Sequence, residues 1–249
     1  MGDNPSYAIE FTNGYKAQAI PVSTNTQAGT IAESLNLPQP QGMLVLSGGA
    51  SDMGQVIYNQ LQSVFNVIAN FVTTHELIVI DGGIDAGIMS LMGKALGRNG
   101  RPAIHIGVLP AKAQTRDGSK LAEEMLEPHH SHFVLINSHL WGDEVQPMYR
   151  LIRHFSIRTP IIALLINGGD VSLKEIQYCV KLGYKIIVFA GTGRLADEVA
   201  LAIRYPEKPR RPEIAELIPQ GRFLVYNISS STAELKKLLE EQLIFETGR

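Results

Sequence analysis

The segment TPIIALLINGGDVSLKEI, residues 159–176, joins an apolar run to a helical pattern through a pair of glycines. The apolar run Ile161–Ile166 is continuous rather than alternating, which is typical of a strand buried on both faces. Gly168 and Gly169 allow a tight turn, and a helical pattern over 172–182 follows them. A strand, a glycine turn and a helix in this order predict one β–α unit of a parallel sheet.

The same unit recurs along the chain. Further apolar runs occur at Met43–Leu46, Leu77–Ile80, Ile104–Val108, Phe133–Ile136, Ile186–Phe189 and Phe223–Tyr226. Helical patterns occur at 53–71, 85–97, 143–156, 194–204 and 232–243. This alternation predicts an α/β fold of the Rossmann-like kind, with a doubly wound and mainly parallel sheet.

The beginning of the chain follows another pattern. Tyr7–Phe11 and Tyr15–Ile20 flank Thr12-Asn13-Gly14, and Asn-Gly can supply the two positive φ angles of a type I′ turn. We therefore expect an N-terminal β-hairpin over 7–20 that decorates the edge of the sheet.

The 249 residues show no linker, so we expect a single domain over 1–249. The segment 107–130 is long and polar, which predicts a lid in which Thr115, Arg116 and Asp117 close over a ligand. Plain disorder of this segment is the alternative.

Composition and charge exclude several classes of protein. The formal net charge is −2, and the basic cluster Lys208–Pro212 is interrupted by prolines, so we expect no nucleic-acid partner. No signal peptide and no membrane-length apolar run occur, which predicts a cytoplasmic protein with no membrane partner. The lone Cys179 lies in an apolar helical pattern, which indicates a buried, inert thiol.

The glycines cluster after four of the apolar runs, where a helix begins. They are Gly48 and Gly49; Gly82, Gly83 and Gly87; Gly168 and Gly169; and Gly191 and Gly193. Because the carboxyl ends of parallel strands share one edge, these loops should converge there and bind an anionic, phosphate-bearing ligand. Each pair alone could be a tight β–α turn. The chain has no GxxxxGK[ST] or GxGxxG motif, which disfavours a P-loop enzyme and a hydride-transfer enzyme.

Polar residues near these loops are candidates for ligand contacts. Arg194 lies in the first turn of a helix, where a cation opposes the helix dipole, so we interpret it as a phosphate ligand. Thr192 could add a hydroxyl donor. The alternative for Arg194 is a surface ion pair with Asp197 or Glu198.

Ser172 and Glu175 have two interpretations. They could form a capping box, in which Ser172 caps the helix and Glu175 reaches back to the backbone. Alternatively, Ser172 contacts the ligand, and Glu175 is a catalytic carboxylate that stabilises positive charge on a ribosyl carbon or activates water.

Other polar residues carry weaker signals. His129, His130 and His132 precede a strand, but no cysteine or carboxylate pattern completes a metal site, so we expect no metal. Their rings should hydrogen-bond the turn or line the crevice. Arg150 and Arg153 share a helix face, which is a solvated surface or an anion contact, and Trp141 stacks on a base or packs.

Several segments together resemble a known family. They are GYKAQAIPVS (14–23), LVLSGGA (44–50), IDGGIDAGIMSLMGKAL (80–96), IGVLP (106–110), HSHFVLI (130–136), 159–176 and IIVFAGTGRLADEVA (186–200). Their order resembles the SLOG-type nucleotide-binding domain of melastatin TRP channels, in its stand-alone prokaryotic form, also called LSDAT. The resemblance implies a Rossmann-like fold that binds nucleotides of the ADP-ribose kind. It assigns Arg194 to the ligand and suggests Tyr149 and Arg150 as further contacts.

The wider superfamily includes nucleoside-monophosphate phosphoribohydrolases, whose motif is P-G-G-x-G-T-x-x-E. The segment from Asn167 to Glu175 is similar in its glycine pair, its hydroxyl and its glutamate. Asn167 and Val171 replace the proline and the third glycine. Glu175 therefore keeps a hydrolase open as an interpretation, and Val171 argues against it.

These observations favour a nucleotide-binding protein that senses or carries an ADP-ribose- or NAD-derived ligand and requires no cofactor. The alternatives are a nucleotide N-glycosidase with Glu175 as its catalytic carboxylate, and a purely structural role. Because the related enzymes pair, we also expect a homo-oligomer, such as a dimer. The apolar stripe of the helix at 232–243 could serve that contact or pack on its own sheet.

Overall fold

Strands and helices alternate along the chain, as the repeated β–α unit predicts. The computed structural model describes residues 5–49, 54–98, 100, 103–115, 117–157, 159–208 and 211–243. The strands are β1 (Tyr7–Glu10), β2 (Lys16–Val22), β3 (Met43–Gly48), β4 (Ile78–Asp81), β5 (His105–Pro110), β6 (His132–Ile136), β7 (Ile161–Ile166), β8 (Lys185–Ala190) and β9 (Arg222–Asn227). The helices are α1 (Ala28–Ser34), α2 (Gln55–Thr74), α3 (Gly87–Arg98), α4 (Val145–Phe155), α5 (Asp170–Lys181), α6 (Arg194–Arg204), α7 (Pro212–Leu217) and α8 (Thr232–Leu243).

One sheet runs through the molecule in the order β1-β2-β6-β5-β4-β3-β7-β8-β9. All neighbouring strands in it are parallel except β1 and β2. From β3 the chain first builds the sheet outward through β4, β5 and β6, and then returns to add β7, β8 and β9 on the other side. The strand order therefore reverses between β3 and β7, which is where ligands bind in open α/β sheets. The predicted Rossmann-like, doubly wound sheet is confirmed.

Helices cover both faces of the sheet, so that successive residues of the central strands are buried on opposite sides. In β3, Leu44 and Leu46 pack with α2, α3 and α8, whereas Met43 and Val45 pack with α1, α4, α5, α6 and α7. This two-sided burial explains why the strands read as continuous apolar runs. Polar side chains are therefore found at the carboxyl edge of the sheet.

The short helices α1 and α7 were not predicted. They have 7 and 6 residues, too few turns for an apolar periodicity to be recognised in the sequence. Pro212 begins α7, where its missing N–H costs no hydrogen bond, and tertiary packing of Ile31 and Ile214 holds both helices.

The N-terminal hairpin is confirmed, but its predicted turn type is wrong. The N–H of Gly14 donates to the Phe11 carbonyl at 2.9 Å, and Phe11 pairs with Tyr15 beyond it. Gly14 has a φ of +83°, and Asn13 is not among the residues with positive φ. The connection is therefore a three-residue loop, with a type I turn followed by glycine, and not a type I′ turn. Strand β2 joins the hairpin to β6 at the sheet edge.

The apolar stripe of α8 packs on its own sheet. Leu235 and Leu239 are fully buried and share a cluster with Leu61 and Phe65 of α2. The stripe therefore does not provide a surface for a second copy of the chain.

The predicted lid over 107–130 begins later than expected, because β5 continues through Pro110. The segment that follows is tied down by a bridge between Gln114 and Leu121 and by a 3₁₀ helix over Ala122–Met125. Arg116, one of the predicted lid residues, lies outside the described residues. Closure of this segment over a ligand stays a prediction.

Gly48 is needed for close packing between β3 and β7. A Cβ at this position would lie 2.1 Å from the Ile166 carbonyl oxygen and 2.4 Å from Ile88 Cδ1. We expect Gly48→Ala to destabilise the protein by about 3 kcal/mol or more, because backbone cannot yield as a side chain does. Thermal or urea unfolding measures this, with Gly82→Ala as the matched control, since among the described residues no atom beyond its chain neighbours lies within 4 Å of its Cβ position. Equal losses in the two variants would contradict the packing argument.

Candidate functional site at the carboxyl edge of the sheet

The four glycine loops meet where the strand order reverses. A Cβ on Gly49, after β3, would lie 2.6 Å from Asn167 Oδ1, after β7. A Cβ on Gly169 would lie 2.6 Å from Arg194 Nη2, after β8. The N–H of Ile88, at the beginning of α3, donates to the Gly49 carbonyl at 3.4 Å. The loops therefore form one continuous surface. We call it the glycine rim, and it comprises residues 48–49, 82–83, 167–169 and 191–193.

Not every glycine of the rim is available to a ligand. The N–H of Gly83 donates to Asp81 Oδ1 at 2.8 Å, and a Cβ on Gly83 would lie 2.8 Å from the Cα of Gly107. Gly83 and Gly48 are thus explained by packing alone. Gly82 faces open space, and Gly87 begins α3 with a φ of +51°. Among the glycines after β4, Gly82 is the better candidate for a ligand contact.

The capping box predicted as one alternative for Ser172 and Glu175 is absent. Helix α5 begins at Asp170, with Gly169 as its N-cap and no side-chain cap. Ser172 is therefore buried inside the first turn of α5. A Cβ added to Gly168 would lie 2.9 Å from the Cβ of Ser172, so the serine packs against the glycine turn and does not cap the helix.

Glu175 points inward to the sheet. Its carboxyl oxygen Oε2 accepts a short hydrogen bond from the hydroxyl of Ser47, the residue before the end of β3. The pKa of Glu175 is raised to about 8. Burial is the main cause, the negative charges of Glu144 and Asp81 raise the pKa further, and the hydrogen bond from Ser47 lowers it. Glu175 is consequently a proton-bearing carboxyl group close to the reversal point, a state suited to a general acid.

A second buried carboxyl group, Glu144, was not singled out in the sequence. It lies between β6 and α4, and its Oε2 accepts the N–H of Gly142 at 2.7 Å. Burial raises the pKa of Glu144 to about 7. A Cβ on Gly142 would lie 2.9 Å from Lys174 Nζ of α5, so this loop reaches across to the helix that carries Glu175. An isolated glutamate before a helix is a common sequence feature, and only the fold brings this one near Glu175.

The two raised carboxyl pKa values make stability depend on pH. An acid whose folded pKa lies above its ordinary value of 4.5 stabilises the fold fully below that value, and loses this contribution as the pH rises through 7 to 8. We expect the wild-type melting temperature to fall between about pH 5 and about pH 9 by more than that of Glu175→Gln, which cannot ionise. Differential scanning fluorimetry of both proteins in one buffer series measures the difference. Parallel curves would contradict the raised pKa of Glu175.

The loop before α6 is held by its own side chains. Asp197 accepts the N–H groups of Gly191 at 2.6 Å and Gly193 at 3.0 Å. The hydroxyl of Thr192 donates to the Phe189 carbonyl at 2.7 Å and accepts the N–H of Asn167 at 2.8 Å. The Thr192 hydroxyl is therefore not the free donor that the sequence predicted, and its role is to join the loops after β7 and β8.

Arg194 remains exposed at the beginning of α6. Neither Asp197 nor Glu198 pairs with it, and within the described part of the chain no carboxylate lies within ion-pair distance of its guanidinium. The alternative prediction of a surface ion pair is therefore wrong. Arg194 has a φ of +50°, a left-handed conformation that costs a non-glycine residue about 1 kcal/mol.

The two helix N-termini at the rim differ in their free donors. At α6, Leu195 and Ala196 donate to the carbonyls of Gly168 and Asn167, at 3.4 and 2.9 Å. At α5, the N–H groups of the first turn, from Gly169 to Ser172, have no carbonyl within the helix to bind. The stronger anion position is therefore the beginning of α5, with the Arg194 guanidinium beside Gly169.

Tyr149 and Arg150 both have partners within the protein, and their contact with a ligand stays a prediction. Tyr149 is 1% exposed, stacks on Tyr178, and its hydroxyl lies 3.1 Å from the sulfur of Cys179. Burial raises the pKa of the Cys179 thiol to about 12, so the predicted inert thiol is confirmed. The guanidinium of Arg150 donates a short hydrogen bond to the Thr24 carbonyl. Both residues join α4 to its neighbours, because the amphipathic helix directs them inward.

Trp141 lies at the outer side of the site and is 39% exposed. Its indole N–H donates to the Gln114 carbonyl at 2.7 Å, which ties the loop after β6 to the segment after β5. In that segment Thr115 donates to Asp117 at 2.6 Å, so these two predicted lid residues bind each other. Stacking of the part-exposed indole ring on a base stays a prediction.

The basic cluster at 208–212 does not form a cationic patch among the described residues. Arg211 lies 3.7 Å from Asp170 and 3.8 Å from Glu198, and Lys208 lies over the ring of Tyr205. Pro209 and Arg210 lie outside the described residues. In the same described part of the chain, no helix combines the length and apolar character needed to cross a bilayer.

The histidines before β6 form a buried network with residues of other strands. His130 Nε2 lies 2.9 Å from Asp81 Oδ1, and His105 Nε2 lies 2.7 Å from Asp81 Oδ2. Glu127 Oε2 lies 2.9 Å from His130 Nδ1, and its Oε1 lies 2.6 Å from His129 Nδ1. The rings thus hydrogen-bond the turn, as predicted, but two carboxylates, Asp81 and Glu127, and a third imidazole, His105, complete a cluster that the sequence did not reveal.

The pKa values in this network follow from charge. Burial would lower the pKa of His130, but Asp81 and Glu127 outweigh it and raise the value to about 9. Burial and the charge of His130 lower the pKa of His105. Burial opposes ionisation of Asp81, but the two imidazoles hold its pKa well below its usual range.

Comparison with known proteins matches most of the chain to one family. The sequence profile of the prokaryotic LSDAT family, described as SLOG in TRPM, matches residues 41–237. The chain is 22% identical to the transient receptor potential cation channel subfamily M member 2 of Mus musculus, over 74% of this chain and 15% of the channel. The Rattus norvegicus channel of the same name is 22% identical, over 68% of this chain and 14% of the channel. The chain thus spans about one seventh of the length of these relatives.

Proposed function

Since this chain belongs to the prokaryotic LSDAT family, the SLOG domains related to melastatin TRP channels, we propose that it binds a nucleotide at the glycine rim. A phosphate of the ligand lies between the first turn of α5 and the guanidinium of Arg194. The observation that carries this proposal is the exposed Arg194, which is held beside Gly169 without a carboxylate partner in the described part of the chain.

The local backbone supports a built anion site. A side chain at position 169 would collide with Arg194 Nη2, so the glycine allows the cation to lie at the N-terminus of α5. The strained conformation of Arg194 opposes stability and is maintained by the packing of Leu195 and Ala196 beneath it. Strain of this kind is concentrated at binding sites, and the fork of an arginine matches phosphate oxygens.

Val171 does not block this position. Its branched side chain packs against the same core cluster as Leu173 and Ile176 of α5. Its N–H lies in the first turn of the helix, where it has no intrahelical acceptor. Val171, in place of the glycine of the phosphoribohydrolase motif, therefore alters the shape of the turn but leaves its N–H groups able to donate to a phosphate.

The ligand is of the ADP-ribose or NAD-derived class, and the protein senses or carries it. The first turn of α5 and Arg194 offer donors for one phosphate, and the open backbone at Gly82, on the other side of the reversal point, offers room for a second. The part-exposed ring of Trp141 would stack on a base. No further cofactor is required for binding. We also expect a cytoplasmic homo-oligomer, such as a dimer. Light scattering after size-exclusion chromatography measures the oligomeric state.

Mass spectrometry tests the proposal. Purified protein is incubated with NAD, ADP-ribose, AMP, CMP and cyclic nucleotides, and both retained ligands and new products are identified. An intact nucleotide retained without products supports binding alone. If no nucleotide is retained and none raises the melting temperature, the proposal fails, because a ligand that binds only the folded state must stabilise it.

A second candidate is a nucleotide N-glycosidase. Two buried carboxyl groups that lie close enough to influence each other, Glu175 and Glu144, have raised pKa values, and the capping role of Glu175 is absent. A protonated carboxyl can donate to the leaving base, and an ionised one can stabilise the ribosyl cation. Free base and a ribose phosphate among the products of the same incubation would support this candidate over a carrier.

A further inference from the structure

We propose that Asp81, His105 and His130 hold a divalent transition-metal ion, of which Zn²⁺ best suits their donor atoms, in a buried site. One ligand atom of each residue lies within 4.8 Å of the others, and all three residues are fully buried. Two imidazoles and a carboxylate are a three-ligand set that binds zinc, and a water molecule would take the fourth position. The three residues come from β4, β5 and the turn before β6, so one ion would join three segments of the sheet.

The surroundings resemble the outer shell of a metal site. Histidines that bind a metal through one nitrogen donate the other ring N–H to a carboxylate, which fixes the ring. With Nε2 of His130 on the ion, Nδ1 would donate to Glu127 Oε2, which lies 2.9 Å away. Glu127 is in turn held by the N–H and the ring of His129, at 2.9 and 2.6 Å. The geometry that orients His130 is therefore present.

Helix α3 is shaped to admit this outer shell. A Cβ on Gly93 would lie 2.1 Å from Glu127 Oε2, and a Cβ on Gly97 would lie 2.3 Å from His129 Cδ2. The two glycines are one helical turn apart, so they form a groove along α3 in which the Glu127 and His129 side chains lie. Helix α3 thus accommodates the side chains of Glu127 and His129, and the cluster lies between α3 and the sheet.

Charge balance favours a cation at the centre. Asp81 and Glu127 are two buried carboxylates, and a divalent ion would neutralise both while the imidazoles stay uncharged. Coordination requires the nitrogen-to-oxygen distances of 2.7 and 2.9 Å to widen by about 0.5 Å, a small movement of side chains.

The ion would act on structure rather than on catalysis, because Asp81, His105 and His130 are all fully buried. Asp81 Oδ1 also accepts the N–H of Gly83, so an ion bound by Asp81 would steady one loop of the glycine rim. The proposal does not depend on the identity of the nucleotide, and either can fail without the other.

Metal analysis of the untagged full chain tests this inference. The protein is expressed with added zinc, passed over a chelating resin and analysed by inductively coupled plasma mass spectrometry. We expect about one ion per chain in the wild type and below about one fifth of that in His105→Gln. Glu127→Gln should keep the three ligands and weaken affinity by about 10- to 100-fold. His132→Gln, outside the proposed ligand set in the same segment, is the matched control and should retain the ion.

Because ligand variants can fail to fold, a second measurement uses the wild type alone. Chelator-treated protein is titrated with Co²⁺, and a saturable visible absorption band at about one equivalent, together with a higher melting temperature, is expected. A folded wild type that contains no transition metal and shows no such band would overturn the proposal and leave a hydrogen-bonded network. Equal metal in the wild type and His105→Gln would also overturn it, since the ion would then be bound elsewhere.

Discussion

Arg194→Ala is expected to raise the dissociation constant of the retained nucleotide by about 10- to 100-fold, which corresponds to about 1.5–3 kcal/mol for hydrogen bonds to a charged group. The physical reason is that the guanidinium lies beside Gly169 with no carboxylate partner in the described part of the chain, so its donors are free for phosphate. Isothermal titration with the nucleotide found by mass spectrometry measures the change. The Arg194 side chain is exposed, and alanine keeps a Cβ in the same backbone conformation, so stability should change little and lost binding would not reflect unfolding.

Two further variants sharpen this test. Arg204→Ala removes an exposed arginine from the last turn of the same helix and should leave affinity unchanged. Arg194→Lys keeps the charge but loses the planar fork, so its affinity should lie between those of the wild type and the alanine variant. An unchanged dissociation constant in Arg194→Ala would contradict the placement of the phosphate between the N-terminus of α5 and Arg194.

If the protein cuts its nucleotide, Glu175→Gln is expected to lower turnover by about 10²- to 10⁴-fold while binding changes little. The amide has the same shape and can still accept the hydrogen bond of Ser47, but it can neither donate an acidic proton nor carry the negative charge. Release of free base, followed by chromatography under single-turnover conditions, measures the rate of the chemical step.

Glu213→Gln is the matched control for this experiment, because Glu213 is exposed in the first turn of α7. Titration of Glu175→Gln with the intact nucleotide separates the chemical step from binding. Equal turnover in Glu175→Gln and the wild type would exclude Glu175 as the catalytic acid. Its raised pKa would then reflect burial beneath the rim alone.

Patterns of side chains in the sequence predicted the strands, the longer helices and the parallel arrangement, because each depends on neighbours a few residues apart. The strand Ile161–Ile166 has the predicted bounds, and β8 differs from its prediction by one residue at each end. The hairpin was predicted at the right position with the wrong turn, since Asn-Gly is compatible with both two- and three-residue loops. The short α1 and α7 depend on tertiary packing and had no readable periodicity.

The candidate site was predicted in outline and corrected in detail. The glycine loops converge as expected, and Arg194 is exposed among them. Tyr149, Arg150 and the Thr192 hydroxyl are engaged within the protein, because a helix or loop can direct a polar side chain inward as readily as outward. Glu144 was missed because nothing in its local sequence distinguishes it from a surface glutamate.

The sequence by itself determined which segments are strands, that the sheet is parallel, and that glycine loops gather at its carboxyl edge. Only the tertiary structure decided which side chains meet there. Ser47 and Glu175 are 128 residues apart, and Asp81 is 24 residues from His105 and 49 from His130. Their contacts depend on strand order and on the burial of charge, which act across the whole sheet. Local propensity depends on residues within one or two helical turns of each other. It therefore defines the strands and helices but not which side chains of different elements contact each other.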